Sequence, residues 1–180
     1  MKLTRTPAAL ATVALAAGAL TAALGPVPAG AEPADRTIRA AGPSVVHVPA
    51  YGGTDANVHV VTTGSGTTVV TLHVAGLPEA VRGATLGAHV HTGACGPAPL
   101  ASGPHYADPA APAGTPLHDR EIWLDSRVNG AGRASAVTVS DWLIPAGAAR
   151  SVVVHALPTA ANGAAGARLL CIDVPFGATS

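Results

Sequence analysis

Along most of the chain, apolar and polar residues alternate in short runs and do not recur at helical spacing. Valine- and threonine-rich runs with a period of two predict β-strands. Alanine is abundant and would favour helices, but glycine and proline interrupt every segment that could form one. We therefore predict eight strands, near residues 44–50, 57–63, 67–74, 84–91, 121–128, 133–140, 150–156 and 168–174.

The segments between these runs contain turn signals. Gly64-Ser65-Gly66 and Asn129-Gly130-Ala131-Gly132 predict hairpins, because glycine and asparagine accept a positive φ. Eight strands joined in this way predict an all-β fold, either an antiparallel sandwich or a flattened barrel. Thr92 to Asp119 and Leu157 to Ala167 are too rich in glycine, proline and alanine for strands. Long loops on a compact β scaffold often carry function.

The first residues of the chain have the features of a secretory signal peptide. Lys2 and Arg5 provide positive charge, Ala8 to Leu24 form an apolar run, and Ala29-Gly30-Ala31 resembles a cleavage site. A transmembrane anchor is the alternative, but glycine and proline interrupt a run that is already short. We predict that residues 1–31 direct secretion.

Removal of residues 1–31 would leave 149 residues (180 − 31), about the size of one domain. We predict a flexible lead-in at residues 32–43 and a folded β domain at residues 44–180. The processed chain would carry eight basic and ten acidic residues, a net charge of −2. This balance predicts no nucleic-acid partner, and the processed chain contains no apolar run long enough to span a membrane.

The chain contains two cysteines, Cys95 and Cys171, and both lie beyond the predicted signal peptide. In an oxidising compartment the default expectation is one disulfide, and the alternative is two free buried thiols. A disulfide would close a loop of 76 residues (171 − 95). Chain entropy gives such a cross-link a value of about 4 kcal/mol.

Four of the eight histidines occur in contexts that suggest a metal site. His89 and His91 lie two residues apart in a predicted strand, which places both imidazoles on one face. His105 follows Gly-Pro in a loop. His155 ends a valine run typical of a buried strand, where an imidazole needs a partner. Four imidazoles suit copper, and the alternative is a set of core or edge histidines satisfied by backbone groups.

The other four histidines are weaker candidates for ligands. His47, His59 and His73 lie on other predicted strands and have no companion at ligand spacing. We interpret these three as structural or exposed residues. His118 is intermediate, because it lies in the long loop close to Asp119 and Glu121.

Four sequence motifs occur in the same order as in the copper/zinc superoxide dismutase family and resemble its motifs. They are the His-x-His pair at 89 and 91, Gly-Pro-His105, the valine run that ends at His155, and Gly-Ala-Arg-Leu-Leu-Cys, which ends at Cys171. The resemblance is to the family's secreted bacterial branch and covers about residues 45–176. It implies an eight-stranded Greek-key barrel and a disulfide between Cys95 and Cys171. It also implies that the ligands of copper are His89, His91, His105 and His155.

The family resemblance further implies an activity, the conversion of superoxide to dioxygen and hydrogen peroxide. Copper supplies the one-electron chemistry, which zinc cannot do. In the family the bridging histidine, His105 here, leaves copper on reduction and takes up a proton. Arg168, three residues before Cys171, corresponds to the arginine that attracts superoxide.

The chain departs from the zinc-binding members of the family. In those members two further histidines and then an aspartate follow the bridging histidine, whereas here only His118 follows, and Glu121 stands where the aspartate is expected. His105, His118 and Glu121 would provide three ligands, and structural zinc sites need four. The loop after His155 also lacks the aspartate that links the copper and zinc ligands in the family.

These departures match the copper-only members of the family. We expect copper alone in preference to a zinc site completed by Asp108 or Asp119. Glu121 and His118 would then be outer groups that orient His105 or polarise the copper site.

Two other functions are consistent with the sequence. One is a secreted module that binds or carries copper without fast turnover. The other is a structural β-sandwich that has kept the fold and lost the metal. The sequence favours neither a monomer nor a dimer.

Overall fold

The structure, a computed structural model, describes residues 35–177, so the predicted signal peptide lies outside the described residues. The described part contains ten strands: β1 (Arg36–Gly42), β2 (Val45–Val46), β3 (Asp55–Thr62), β4 (Thr68–Ala75), β5 (Thr85–Leu86), β6 (Ala88–His91), β7 (Ser126–Arg127), β8 (Ala134–Ser140), β9 (Ser151–His155) and β10 (Arg168–Asp173). It also contains one short α-helix, α1 (Leu117–Arg120), and 3-10 turns at Pro49–Tyr51, Glu79–Val81 and Pro99–Ser102.

Eight of these strands form two antiparallel four-stranded sheets. One sheet has the order β1-β3-β4-β8 and the other has the order β2-β10-β9-β6, while β5 and β7 form a separate short pair. β8 lies beside β4 although β5, β6 and β7 come between them in the chain, which is the type of connection found in a Greek key. The prediction of an all-β antiparallel fold is confirmed.

The sheet β1-β3-β4-β8 follows the alternation of the sequence closely. Val58 pairs with Leu72 and Val60 with Val70 across the β3–β4 hairpin, and all four side chains are buried in the core. The predicted turn closes this hairpin, where the Gly66 amide donates to the Thr63 carbonyl oxygen at 3.0 Å. The period-two pattern therefore places one face of this sheet in the core.

The sheet β2-β10-β9-β6 is buried on both faces. Val152 and Val154 of β9 belong to the core, whereas Ser151, Val153 and His155 point to the other face and are buried too. The two long loops cover this outer face; for example, the Ser151 hydroxyl donates to the Gly93 carbonyl oxygen at 2.7 Å. This covering explains why the β9 sequence is a continuous apolar run.

Residues 36–42 are the clearest correction to the sequence predictions. They form β1, which pairs with β3 from Arg36 opposite Thr62 to Gly42 opposite Ala56, so the predicted flexible lead-in is wrong there. Only Ile38 and Ala40 of this strand pack against the core. Because backbone hydrogen bonds to β3 hold this edge strand in place, it needs few apolar side chains, and its sequence shows little of the alternation that predicts a strand.

Three other predicted strands are shorter or broken in the structure. The strand near 44–50 is reduced to β2, followed by the turn at Pro49–Tyr51. The strand near 84–91 divides at Gly87 into β5 and β6. The segment 121–128 contributes only β7 and two isolated bridges, from Trp123 to His89 and from Glu121 to Ala107. Within residues 35–177, none of the helices has the length and apolar character needed to cross a bilayer.

Candidate metal centre

The fold brings together the four histidines that the sequence singles out. His89 and His91 lie on β6, His155 ends the neighbouring β9, and His105 forms an isolated bridge with His91. Each histidine offers one ring nitrogen, and these four nitrogens lie within 4.8 Å of one another. His89, His91 and His155 are buried, and His105 is partly exposed. Four buried or half-buried histidines are thus positioned to bind a metal ion.

Backbone carbonyl groups determine which nitrogens of His91 and His155 face the centre. His91 Nδ1 donates to the Gly103 oxygen at 3.0 Å, and His155 Nδ1 donates to the Gly166 oxygen at 3.3 Å. A carbonyl oxygen only accepts, so the Nε2 atoms of both neutral rings carry lone pairs. These two Nε2 atoms are 3.3 Å apart. Two lone pairs directed at each other across this distance fit a shared cation.

Glu121 holds His105 from the side opposite the centre. His105 Nδ1 is 2.9 Å from Glu121 Oε2, and Trp123 Nε1 donates to the same oxygen at 2.7 Å. Burial raises the pKa of the Glu121 carboxyl, but the hydrogen bonds from His105 and Trp123 outweigh burial, and the pKa is lowered. Glu121 is therefore a carboxylate that accepts the Nδ1 proton, and Nε2 is the ligand atom that His105 can offer.

His89 presents its other nitrogen to the centre. Its Nε2 lies 2.7 Å from Thr159 Oγ1, and its Nδ1 is buried without a hydrogen-bond partner among the described residues. A buried polar atom without a partner is unusual in a folded protein. A metal ion at the point shared by the four rings would satisfy His89 Nδ1.

The electrostatics of the cluster keep these rings neutral. Burial, the largest cause, lowers the pKa of His89 to about 2, that of His91 to about 3 and that of His155 to about 4. The neighbouring His105 and Arg168 lower all three pKa values further. Neutral imidazole is the form that binds metals. A set of four imidazole nitrogens fits copper or zinc.

Arg168 lies at the start of β10, beside the histidine cluster. Its Nη1 donates to the Pro99 oxygen at 2.9 Å and to Ser102 Oγ at 2.8 Å, and its Nη2 donates to the Gly103 oxygen at 2.7 Å. The Gly103 oxygen also accepts from His91, so a single carbonyl group connects the guanidinium to a ligand of the centre. Gly103 has a φ of +69°, and a Cβ there would lie 2.5 Å from Thr92 Oγ1, so the turn requires glycine.

A disulfide joins Cys95 to Cys171, with their Cα atoms 5.6 Å apart. It ties the loop after β6 to β10, and the Cys95 amide also donates to Asp173 Oδ1 at 2.8 Å. The predicted disulfide is therefore present, and it is typical of proteins that fold in an oxidising compartment.

The alternative zinc site, which would use His105, His118 and Glu121, does not assemble. His118 Nε2 is 3.1 Å from Asp119 Oδ1, and both side chains are more than half exposed, at 62% and 54%. Glu121 points to His105 and not to His118. Among residues 35–177, the four-histidine cluster is the sole group of three or more potential ligands close enough to share an ion.

The histidines at positions 47, 59 and 73 are not members of the cluster. The His47 amide donates to the Leu169 oxygen at 2.9 Å, and burial followed by the charge of Arg168 lowers the pKa of its ring. His59 and His73 lie on β3 and β4, where His73 Nδ1 is 3.0 Å from Ser135 Oγ.

Three residues around the centre are not predicted from the sequence, namely Trp123, Asp125 and Thr159. Trp123 follows Glu121 by two positions, so period-two spacing could have placed it on the same face. Asp125 and Thr159 are hydrogen-bonded to each other but are 34 residues apart in the chain. No spacing signal in the sequence connects such a pair.

Comparison with known proteins supports the fold. No protein-family model matches the chain, and no curated protein matches it in sequence. Among solved structures, it is similar to the clock protein EA4, with a TM-score of 0.56 and 17% identity over 81% of this chain and 96% of that one. It is also similar to a double mutant of a SOD-like protein from Bacillus subtilis, with a TM-score of 0.52 and 14% identity over 77% and 95% of the two chains.

These likenesses define the fold class. The protein has a β-sandwich of the copper/zinc superoxide dismutase type, and this sandwich carries a four-histidine cluster on its covered sheet. At such low identity, similarity to solved structures shows the fold alone.

Proposed function

We propose that this protein is a secreted, copper-dependent superoxide dismutase that works without zinc. The observation that supports this function is the convergence of four imidazole nitrogens within 4.8 Å of one another. Hydrogen bonds occupy the second nitrogen of each of the four rings. Such outer hydrogen bonds are what fixes the tautomer and orientation of metal-binding histidines.

The surroundings of His105 favour copper alone. In the zinc-binding members that the sequence resembles, the second nitrogen of the bridging histidine binds zinc. Here Glu121 Oε2 lies 2.9 Å from that nitrogen, His105 Nδ1. A carboxylate that accepts from Trp123 as well is already engaged, and His118 pairs with Asp119. Glu121 therefore takes the position that zinc would need.

Copper, when bound, supplies one-electron oxidation and reduction, so that one superoxide yields dioxygen and a second yields hydrogen peroxide. The protein residues supply protons and position. His105 is the least buried of the four rings, and the Glu121 carboxylate keeps the proton on its Nδ1. His105 Nε2 is thus the atom that can take up a proton and pass it to the product.

Arg168 is proposed to attract the superoxide anion. Three oxygen acceptors fix its guanidinium next to the cluster, and the side chain keeps partial exposure to solvent. A guanidinium held in this way provides local positive charge in a chain without net positive charge. Arg168 would therefore increase the rate of encounter without binding the metal.

Two features of the chain support the proposal that it is secreted. Residues 1–31 have the pattern of a signal peptide, and the Cys95–Cys171 disulfide suits an oxidising compartment. We propose that copper is acquired after export.

The test combines metal analysis of the exported protein with a direct assay of superoxide decay after reconstitution with copper, with zinc, or with both. We expect one copper per chain, fast superoxide decay with copper, and no further gain when zinc is added. Zinc reconstitution alone is the matched control, because it fills imidazole sites but has no redox chemistry.

The same measurements separate the alternatives. Tight copper binding with negligible superoxide consumption would identify a copper-carrying module. Failure to bind copper at all would identify a structural β-sandwich and overturn the proposed function.

A further inference from the structure

The loop after His155 lacks the aspartate that links the metal ligands in the family, yet a carboxylate reaches His89 by another route. We propose that Asp125, acting through the hydroxyl group of Thr159, takes over the orientation of His89 as a copper ligand. This inference rests on the proposed copper site. Both residues are positioning residues, since neither reaches the metal position itself.

The directions of the hydrogen bonds follow from the chemistry of the three groups. Thr159 Oγ1 lies 2.5 Å from Asp125 Oδ1 and 2.7 Å from His89 Nε2. An ionised carboxylate only accepts, so the single hydroxyl proton of Thr159 goes to Asp125. The hydroxyl oxygen must then accept from His89 Nε2. His89 is thereby fixed as the tautomer that is protonated on Nε2 and has a lone pair on Nδ1.

This tautomer is the one that the metal centre needs. His89 Nδ1 is a buried nitrogen without a hydrogen-bond partner among the described residues, and His89 is one of the four histidines whose ring nitrogens lie within 4.8 Å of one another. The chain from carboxylate through hydroxyl to imidazole therefore directs one lone pair to the centre. A carboxylate at the end of such a chain also increases the basicity of the ligand.

Asp125 is itself held by the backbone on both sides. Its Oδ2 accepts from the Thr159 amide at 2.7 Å, and its Oδ1 accepts from the Ala88 amide at 3.4 Å. Asp125 forms no ion pair among the described residues. Its carboxylate is connected to His89 through Thr159, and its charge also acts on the neighbouring His155, whose pKa it raises against the larger lowering effect of burial.

Gly87 provides the space for this arrangement. A Cβ at this position would lie 2.8 Å from both the Leu157 oxygen and Thr159 Oγ1. The Gly87 amide also donates to the Leu157 oxygen at 2.9 Å. A larger residue would push the loop away, and Thr159 would then lose its contact with His89.

The test uses the full exported chain and three variants: Thr159→Val, Thr159→Ser and Asp125→Asn. Thr159→Val keeps the size of the side chain and the hydrogen bond from the residue 159 backbone amide to Asp125, but it removes the hydroxyl group. We expect it to weaken copper binding by about 10- to 100-fold, the usual cost of losing an outer hydrogen-bond partner of a metal ligand. Asp125→Asn should weaken binding in the same direction, whereas Thr159→Ser should restore it.

Two readouts separate positioning from a merely structural role. Copper affinity is measured by competition with a chelator, and the Cu(II) electron paramagnetic resonance spectrum reports on ligand geometry. Thr115→Val is the matched control, because Thr115 is a partly exposed threonine of the other long loop whose hydroxyl donates locally to the Pro112 oxygen. We expect this control to leave affinity and spectrum unchanged.

A Thr159→Val protein with the affinity and spectrum of the unmodified chain would overturn the inference. So would a lower melting temperature of the metal-free variant without any change in copper binding. The proposed enzymatic function is tested separately by superoxide decay. If copper binding depends on Asp125 and Thr159 as expected but the protein does not consume superoxide, the proposed enzymatic function is wrong and the positioning role of these two residues stands.

Discussion

Both sheets of the sandwich contain histidines on neighbouring strands, but in the part of the chain that the structure describes only the sheet β2-β10-β9-β6 brings its histidines close enough together to bind a metal ion. On β3 and β4, His59 and His73 lie on a regular ladder, where His73 Nδ1 is hydrogen-bonded to Ser135 Oγ and His59 Nε2 is buried without a hydrogen-bond partner among the described residues. On β6 and β9, loops fold over the outer face and supply a fourth ring and the hydrogen-bond acceptors. A metal site therefore depends on the covering of the sheet more than on histidine spacing.

The covering also changes how each region is held together. The β1-β3-β4-β8 sheet is stabilised by continuous backbone ladders of seven or eight paired residues. The region of the site has shorter ladders, and a disulfide and side-chain bonds to loop carbonyls complete it. Changes to single side chains should consequently have larger effects around the site than on the regular sheet.

The largest expected effect comes from removing one ligand. His91→Ala should weaken copper binding by more than the roughly 100-fold that loss of an outer partner can cause, and superoxide decay should cease. His73→Ala is the matched control on the other sheet and should bind copper normally. Copper affinity by chelator competition checks both. Equal affinities for the two variants would contradict the assignment of the site.

The second effect concerns the cross-link. The double substitution of Cys95 and Cys171 by serine should lower the free energy of unfolding by about 4 kcal/mol, because the unfolded chain regains the entropy of a 76-residue loop. Denaturant unfolding of the metal-free protein measures it. Because the disulfide anchors the loop that covers β6, the variant should also bind copper more weakly. A loss of stability below about 1 kcal/mol would show that the loop is held mainly by other contacts.

Glu121 provides a third test. Glu121→Gln removes the charge that faces His105 Nδ1 and should weaken copper binding by about tenfold, at the lower end of the range for outer partners. Glu79→Gln is the control, since Glu79 is highly exposed and forms only a long 3.9 Å pair with Arg82. Added zinc should not rescue the Glu121 variant. Rescue by zinc would mean that the site retains a zinc-binding function.

The smallest effect should come from Arg168. Arg168→Gln should lower the second-order rate of superoxide decay by about tenfold and reduce its dependence on ionic strength, while copper stays bound. Arg133→Gln, at an exposed arginine just before β8, is the control and should keep the normal rate. If the Arg168 variant has the same rate at every salt concentration as the unmodified protein, its role in attracting the anion is wrong.

The success of the sequence predictions differs between the two regions. The β3–β4 hairpin and β8 lie within two residues of their predicted bounds, because alternation and turn residues are local signals. β1 is missed because an edge strand with two core contacts leaves little apolar pattern. The segment 121–128 is predicted as one strand, but in the structure only β7 is regular. The rest of the segment is irregular and places the side chains of Glu121, Trp123 and Asp125 in hydrogen bonds around the centre.

The sequence by itself determined the all-β class, the pairing of its two cysteines, and the set of histidines that the structure brings together. These properties depend on local periodicity, on the only available cysteine partner, and on motifs that are short and ordered along the chain. Only the tertiary structure decided which nitrogen of each ring faces the centre, that Glu121 and not His118 holds His105, and that Asp125 reaches His89 through Thr159. Each of these depends on contacts between segments far apart in the chain, whose distance and direction are set by how the loops pack on the sheet.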